Sequence, residues 1–400
     1  MKKRVIFVDD EPMVLQMFQT LFQRLCADWE MDFVSNGFEA LERMAHAPYD
    51  VIVSDMRMPG MTGAELLNEV MRRHPGTARI ILSGYSDQDL VRKCVGATHQ
   101  FLVKPCNVMT LRAALLRVCS FQEWVQNEQL KALFGGIDSL PSLPSLYFRI
   151  LEELQSPNAS VDRIGELIAR DSGMTPKLLQ LVNSAFFGSA RQVMHPSEAV
   201  QILGVSIVRT LALSLHVFTS FEHVRIDSYP TERLWQHSFA TGMAARRIME
   251  LERAEESLVE AAFTAGLLHD AGRLLLAWKA PAQYREAMKL ARDQSWPAWK
   301  AEQEVFGTTH AEAGAYLFGL WGLPVSIVEA VAFQHRPRER LPKNFGPITA
   351  VHVADAFDRE ANTDLGDFVV SGLDIEYLRE IGVVERLDLW REICFSMIGA

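Results

Sequence analysis

The sequence predicts a multidomain chain with two architectures in series: a doubly wound α/β unit on a five-stranded parallel sheet, then an all-helical unit. Three observations predict this. Short, wholly apolar strands alternate with amphipathic helical stretches through about the first 120 residues. From Tyr147 onward, period-2 alternation all but vanishes and helical spacing takes over. At 400 residues the chain is also too long for one ordinary domain, and its 48% apolar content is enough for real cores.

The first strand is "RVIFV" (4–8), of the type buried on both faces, followed by a helix from about Pro12 to Leu25. "MDFVS", "DVIVSD", "RIILSG" and "HQFLVKP" repeat the theme with helices between. In such a sheet the ligand crevice lies at the C-terminal ends of the strands. Asp9 and Asp10 end the first strand, Asp55 the third, Ser83 the fourth and Lys104 the fifth. A single acidic residue there would merely start a loop; five polar residues together make a site. Three converging carboxylates repel one another unless a divalent cation sits among them, and oxygen-only ligands suit Mg²⁺. A lysine and a hydroxyl aimed at the same point suit phosphoryl oxygens.

"FVDDEP", "VSDMRMPGMTGAELL", "ILSGYSD" and "FLVKPC" resemble the receiver domain of bacterial two-component response regulators, a flavodoxin-like fold, over about residues 1–120. The resemblance implies that a sensor histidine kinase phosphorylates Asp55. It implies Mg²⁺ held by Asp9, Asp10, Asp55 and the backbone carbonyl of Arg57, with Ser83 and Lys104 on the phosphoryl group. Phe101 takes the switch-aromatic position, where the family often has tyrosine.

A helical linker follows over 121–135, extending the receiver's last helix. Leu111, Leu115, Val118 and Val125 approximate a heptad seam that Gln122 and Gln129 interrupt. A homodimeric coiled coil and a helix packed on the next domain both remain open. Gly135–Gly136 and "LPSLP" end it. Amphipathic segments then predict helices at about 144–155, 160–170, 174–186, 196–203, 205–221, 231–251, 255–268, 281–293, 297–306, 310–320, 324–335 and 347–357. The longest apolar run, Ala199 to Phe221, carries Arg209 at its middle and predicts a buried helix, not a membrane span.

"NSAFFG", "LWQHSFATG", "AGLLHDAGRLLL", "THAEAGAYLFGLWGLP" and "AFQHRP" resemble the HDOD domain, the HD-related output domain, over 136–340. Residues 341–400 are expected to complete it with closing helices. The apolar stretch Ala265–Leu276 predicts a helix that buries the ionisable pair His269–Asp270, which is costly unless something answers its charge. HD-type metal sites use a histidine, a consecutive His-Asp, further histidines and a late aspartate. His237, His269, Asp270, His310, His335 and Asp355 stand here in that order, a set whose nitrogen and oxygen donors suit Fe or Mn. Arg273 is a candidate anion contact. Against catalysis, "QHRPRERLPKNF" replaces the HHExxDGxGYP-like stretch of the cyclic di-GMP phosphodiesterases, and Arg233 stands where a second carboxylate is expected.

The expected output is therefore a helical surface that binds an unidentified downstream signalling protein; the alternative is a metal-dependent phosphohydrolase acting on a nucleotide or cyclic dinucleotide. Residues 1–120 carry 14 basic and 14 acidic residues, leaving 26 against 36 for the remainder. So acidic a back half, without a basic stripe, counts against direct DNA binding. Five scattered cysteines without a CxxC pair, and no signal peptide, predict a soluble cytoplasmic protein.

Overall fold

The computed structural model describes residues 3–25, 29–74, 76–83, 97–104, 106, 108–124, 133, 145–155, 160–171, 174–183, 193–221, 224, 231–340, 343–361 and 372–398. The chain divides into two compact units, Met1–Ser156 with Gly319–Gly322, and Pro157–Phe318 with Leu323–Ala400.

The first unit holds β1 (Arg4–Val8), α1 (Pro12–Leu25), β2 (Glu30–Val34), α2 (Gly37–His46), β3 (Val51–Asp55), α3 (Gly63–Arg73), β4 (Ala78–Ser83), β5 (Gln100–Val103), α4 (Val108–Trp124) and α5 (Ser145–Gln155). The strands form one sheet in the order β2-β1-β3-β4-β5, and every pair is parallel. β3 and β4 are buried at every position, as their unbroken apolar runs require of strands covered on both faces. On α4, which packs on α1 and β3, Leu111 and Leu115 are fully buried. The first half of the expected heptad seam is therefore core; Val125 and Gln129, like most of the 121–135 linker, lie outside the described residues.

In the second unit the helices are α6 (Val161–Ala169), α7 (Met174–Val182), α8 (Pro196–Leu203), α9 (Val205–Ser220), α10 (Thr231–Leu251), α11 (Glu256–Leu268), α12 (Ala271–Lys279), α13 (Pro281–Gln294), α14 (Ala298–Phe306), α15 (His310–Leu320), α16 (Val325–Phe333), α17 (Pro347–Ala361), α18 (Ile375–Glu380) and α19 (Leu387–Ile398). The apolar run 199–221 is broken at Gly204, whose φ of 80° suits glycine, and α8 and α9 meet there at 115°. Among the described residues no single helix is long and apolar enough to cross a membrane; this bent pair passes by length and composition alone. Arg209 pairs with Glu260 of α11.

α10 and α11 pack as a close pair, and α17 lies against both. Their approach depends on small residues: a Cβ added at Gly266 would stand 2.7 Å from the Gly242 Cα. The expected segment 255–268 is α11, but the helix-like stretch Ala265–Leu276 spans two helices. α11 ends at Leu268 and α12 begins at Ala271, so His269–Asp270 forms the corner between them instead of lying mid-helix. At that corner a Cβ on Gly272 would meet the His310 carbonyl oxygen at 1.9 Å, which seats the start of α12 directly on the start of α15. The chain's last helices close the same unit: Trp390 is fully buried and its indole N–H donates to Glu252 at 3.0 Å.

Gly272→Ala must push these two backbones apart, and overpacking of this kind costs about 1–3 kcal/mol. The expected result is a lower urea midpoint for the helical unit, with the α/β unit unchanged; a wild-type midpoint would refute the contact.

Candidate functional site

Register brings the polar residues of the α/β unit to one edge of the sheet. Val8 pairs with Ser54, Asp55 with Leu82 and Ser83 with Val103, so the residues ending β1, β3, β4 and β5 share one level. Asp9 and Asp55 are buried to 2% and 7% exposure, and Asp10 beside them is half-buried. Lys104 reaches both carboxylates, ion-paired to Asp55 and 3.3 Å from Asp9. Burial opposes the lysine's charge, but Asp55 and Asp9 more than offset this and its pKa is raised. Burial also pushes the Asp9 carboxyl above its ordinary range, against the opposing pull of the Glu11 N–H and Lys104.

The backbone completes the pocket. The Glu11 N–H donates to Asp9 at 3.0 Å and the Arg57 N–H to Asp55 at 2.8 Å. A capping box, Thr62 with Glu65, starts α3 behind Asp55. Gly63 is required there, because a Cβ would meet the Asp55 carbonyl oxygen at 2.0 Å. Ser83 is fully buried, and its hydroxyl has no hydrogen-bond partner among the described residues. An orphaned hydroxyl and an incompletely neutralised buried carboxylate are the features expected where an oxyanion and a cation bind. These residues thus fit Mg²⁺. Phe101 lies in β5, and its side chain is outside the described residues.

The helical unit gathers all six residues of the HD-type set. His237 comes from α10, His269 and Asp270 from the α11–α12 corner, His310 from the first position of α15, His335 from just beyond α16, and Asp355 from α17. A second capping box, Thr309 with Glu312, starts α15 and so sets the direction of His310. All six side chains are buried or nearly so. Two subsets converge closely enough to hold a metal ion: His237, His269 and Asp270, and Asp270, His310 and His335.

The pocket nevertheless supplies its own counter-charges. His237 lies between two carboxylates, Nδ1 2.5 Å from Asp358 and Nε2 3.0 Å from Asp355. His310 does the same, Nδ1 2.6 Å from Glu302 and Nε2 3.1 Å from Asp270. Burial opposes protonation of both, and Arg359 and Arg273 add to this, yet the carboxylates prevail and both pKa values are raised. Their Nε2 atoms also face a second imidazole: His237 faces His269 across 3.2 Å, and His310 faces His335 across 2.9 Å. His269 Nδ1 lies 2.7 Å from the Gly266 carbonyl oxygen. Burial and neighbouring His310 hold His335 well below its ordinary value, and Trp299 stacks on its ring.

Two guanidinium groups complete the balance. Arg359 reaches Asp270 Oδ2 and Asp355 Oδ1, both at 2.7 Å. Arg273 Nε lies 2.9 Å from Asp270 Oδ1. Burial would raise both aspartates, but Arg273 and Arg359 on Asp270, and Arg359 on Asp355, help to hold them well below the ordinary carboxylate range. Four carboxylates (Asp270, Asp355, Asp358, Glu302) thus face two arginines and two histidines whose pKa values are raised. With both aspartates engaged by arginine, the pocket as arranged does not fit a metal ion.

Two expectations change here. Arg273 is buried on Asp270 and so contacts an anion of the protein itself. Arg233 is exposed, so the cation that stands among the HD-type residues is not Arg233 but Arg359. Sequence reasoning missed Arg359, Asp358 and Glu302. The i, i+4 spacing of Asp355 and Arg359 was a usable signal; nothing local marks Glu302, eight residues before His310. His352 is a satisfied core residue, bonded to the Gln334 carbonyl and the Asp374 N–H.

The family model of the response regulator receiver domain matches residues 5–116, and that of the HDOD domain matches residues 140–337. The chain is 26% identical over 215 residues to an uncharacterized protein of Treponema pallidum, covering 53% of this chain and 40% of that one. It is 33% identical over 148 residues to the DNA-binding transcriptional regulator NtrC of Escherichia coli K12, covering 36% of this chain and 30% of that one. The chain thus spans less than half the length of these curated relatives. A solved HDOD domain protein of unknown function from Geobacter sulfurreducens covers 68% of this chain and 97% of its own, at 21% identity and a TM-score of 0.50. That likeness shows the fold alone.

The charge arrangement predicts a stability optimum for the helical unit. Asp270 and Asp355 are depressed in the folded state, so their contribution is present above their ordinary value near 3.8 and lost as pH falls through the folded values. His237 and His310 are raised, so theirs is present below 6.5 and lost as pH rises through the folded values. Urea midpoints measured across pH should fall on both sides; a midpoint unmoved from neutral to alkaline pH would refute protonated His237 and His310.

Proposed function

Since the chain joins a response regulator receiver domain to an HDOD domain, we propose that it is a phosphorylation-controlled signalling protein whose output is a helical binding surface. A histidine kinase is the phosphodonor and Asp55 the acceptor. The receiver spans residues 1–120, the linker 121–135 and the HDOD domain 136–340, with 341–400 completing the output unit. The observation that carries this reading is the Lys104 ammonium shared by Asp9 and Asp55 beside the orphaned Ser83 hydroxyl.

Each residue has a role that its position supports. Asp55 supplies the nucleophilic carboxylate. Lys104 neutralises phosphoryl oxygens, and Ser83 donates the hydrogen bond its hydroxyl has not made elsewhere. Asp9, Asp10, Asp55 and the Arg57 carbonyl hold Mg²⁺, which when bound supplies the charge neutralisation that lets carboxylate and phosphate approach. Phe101 is the switch aromatic. The output engages a downstream signalling protein, in the cytoplasm, with neither DNA nor membrane as its target.

A second reading, a metal-dependent phosphohydrolase, rests on the convergence of the six HD-type residues. It is tested by Mn²⁺-dependent hydrolysis of bis(p-nitrophenyl) phosphate that His269→Ala abolishes; no turnover retires it.

For the main reading, acetyl phosphate with Mg²⁺ should add one acid-labile phosphate to the full chain. Asp55→Asn should abolish the label and Ser83→Ala should slow its appearance. Undiminished labelling of the Asp55→Asn protein would sink the assignment.

A further inference from the structure

One cation in the helical pocket occupies the carboxylate oxygens of the first of its two metal-sized clusters, His237, His269 and Asp270. Arg359 Nη2 lies 2.7 Å from Asp270 Oδ2 and Arg359 Nε 2.7 Å from Asp355 Oδ1. These same two oxygens face the imidazole nitrogens. Asp355 Oδ1 is 3.0 Å from His237 Nε2 and 3.3 Å from His269 Nε2. Asp270 Oδ2 is 3.8 and 3.6 Å from the same two atoms. Any cation bound by His237, His269, Asp270 and Asp355 would therefore share both carboxylate oxygens with the guanidinium.

We infer that Arg359 is a built-in counter-ion that excludes divalent cations from this pocket, and that a neutral residue at 359 turns the pocket into a site for a first-row transition metal. Three observations carry this. The fork of Nε and Nη2 bridges two carboxylates from different elements, a fit that a planar guanidinium makes and a spherical ion would have to displace. Arg359 is 8% exposed, so it cannot swing into water without opening the packing of α17 on α10 and α11. A second cation beside it, in a poorly screened interior, would meet like-charge repulsion across a few ångströms. Once the guanidinium is gone, the His237 and His269 nitrogens and the Asp270 and Asp355 carboxylates remain converged, with Arg273 still on Asp270 Oδ1, and an entering metal ion has only the proton that His237 shares with Asp355 to displace. Mixed nitrogen and oxygen donors of this kind suit Mn²⁺ or Fe²⁺.

The inference does not depend on phosphorylation of Asp55, and its test is read separately. Full-length wild type, Arg359→Gln, Arg359→Lys and the double variant Arg359→Gln/His269→Ala are loaded with Mn²⁺, desalted, and assayed for metal by mass spectrometry. Any Mn²⁺ on the receiver is common to all four and subtracts out. Arg359→Gln should retain about one equivalent more than wild type, with an affinity about 10- to 100-fold tighter, the range by which groups beside the ligands tune metal sites. Arg359→Lys should match wild type, and the double variant should fall back to it. Should Arg359→Gln fold only in Mn²⁺, recovery of its helical circular dichroism by Mn²⁺ is the same result in another form. The inference is overturned if wild type already holds an equivalent that His269→Ala removes. It is equally overturned if Arg359→Gln binds no more than wild type, or stays unfolded with Mn²⁺ present.

Discussion

The bridge from Arg359 to Asp270 and Asp355 is the contact on which the helical unit turns. Two aspartates taken out of water, each from a different element, would repel one another and strongly favour their protonated forms. One guanidinium answers both at 2.7 Å. That contact ties α17 to the α11–α12 corner, and His237 then ties α10 to α17 through Asp355 and Asp358. Packing brings these elements close, but it is charge balance that fixes which side chains can face inward. A buried ion network of this kind contributes little net stability compared with apolar packing, yet breaking it by removing one partner is strongly destabilising.

The α/β unit solves a related problem in the opposite way. Asp9 and Asp55 also share one cation, Lys104, but the pocket lies at the open edge of a sheet, and Lys104 itself is a third exposed. Its neutralisation is incomplete: Asp9 remains raised, and the Ser83 hydroxyl has no hydrogen-bond partner among the described residues. A pocket left short of charge and hydrogen bonds invites a ligand. The helical pocket neutralises its aspartates more fully, through Arg273 and Arg359, although Asp270 Oδ1 and Glu302 Oε1 lack hydrogen-bond partners among the described residues. The same residue types therefore sit at the rim of a sheet in one unit and in a buried core in the other.

The fold is largely legible in the amino-acid sequence. β1 and α1 fall where the apolar runs place them, and most helices of the second unit begin and end within a few residues of their periodic segments. The break at His269–Asp270 is the exception. The run from Ala265 to Leu276, apolar except for His269, Asp270 and Arg273, looks like one helix, because every residue on either side of the corner is buried and periodicity loses its contrast. The corner depends on Gly272 meeting the His310 carbonyl, a contact between residues 38 positions apart that no local pattern contains.

By itself the sequence determined the class of each unit and named candidate residues for both sites, without Arg359, Asp358 or Glu302. Strand-end placement follows from period and length, and the HD-type residues keep their order whatever the packing. Tertiary structure alone decided what those residues do with their charge. Arg233, near His237 in the chain, is exposed, whereas Arg359, 89 positions from Asp270, completes its pocket. The physical reason is that the cost of a buried charge is set by what surrounds it in space, and Coulomb attraction between side chains takes no account of separation along the chain.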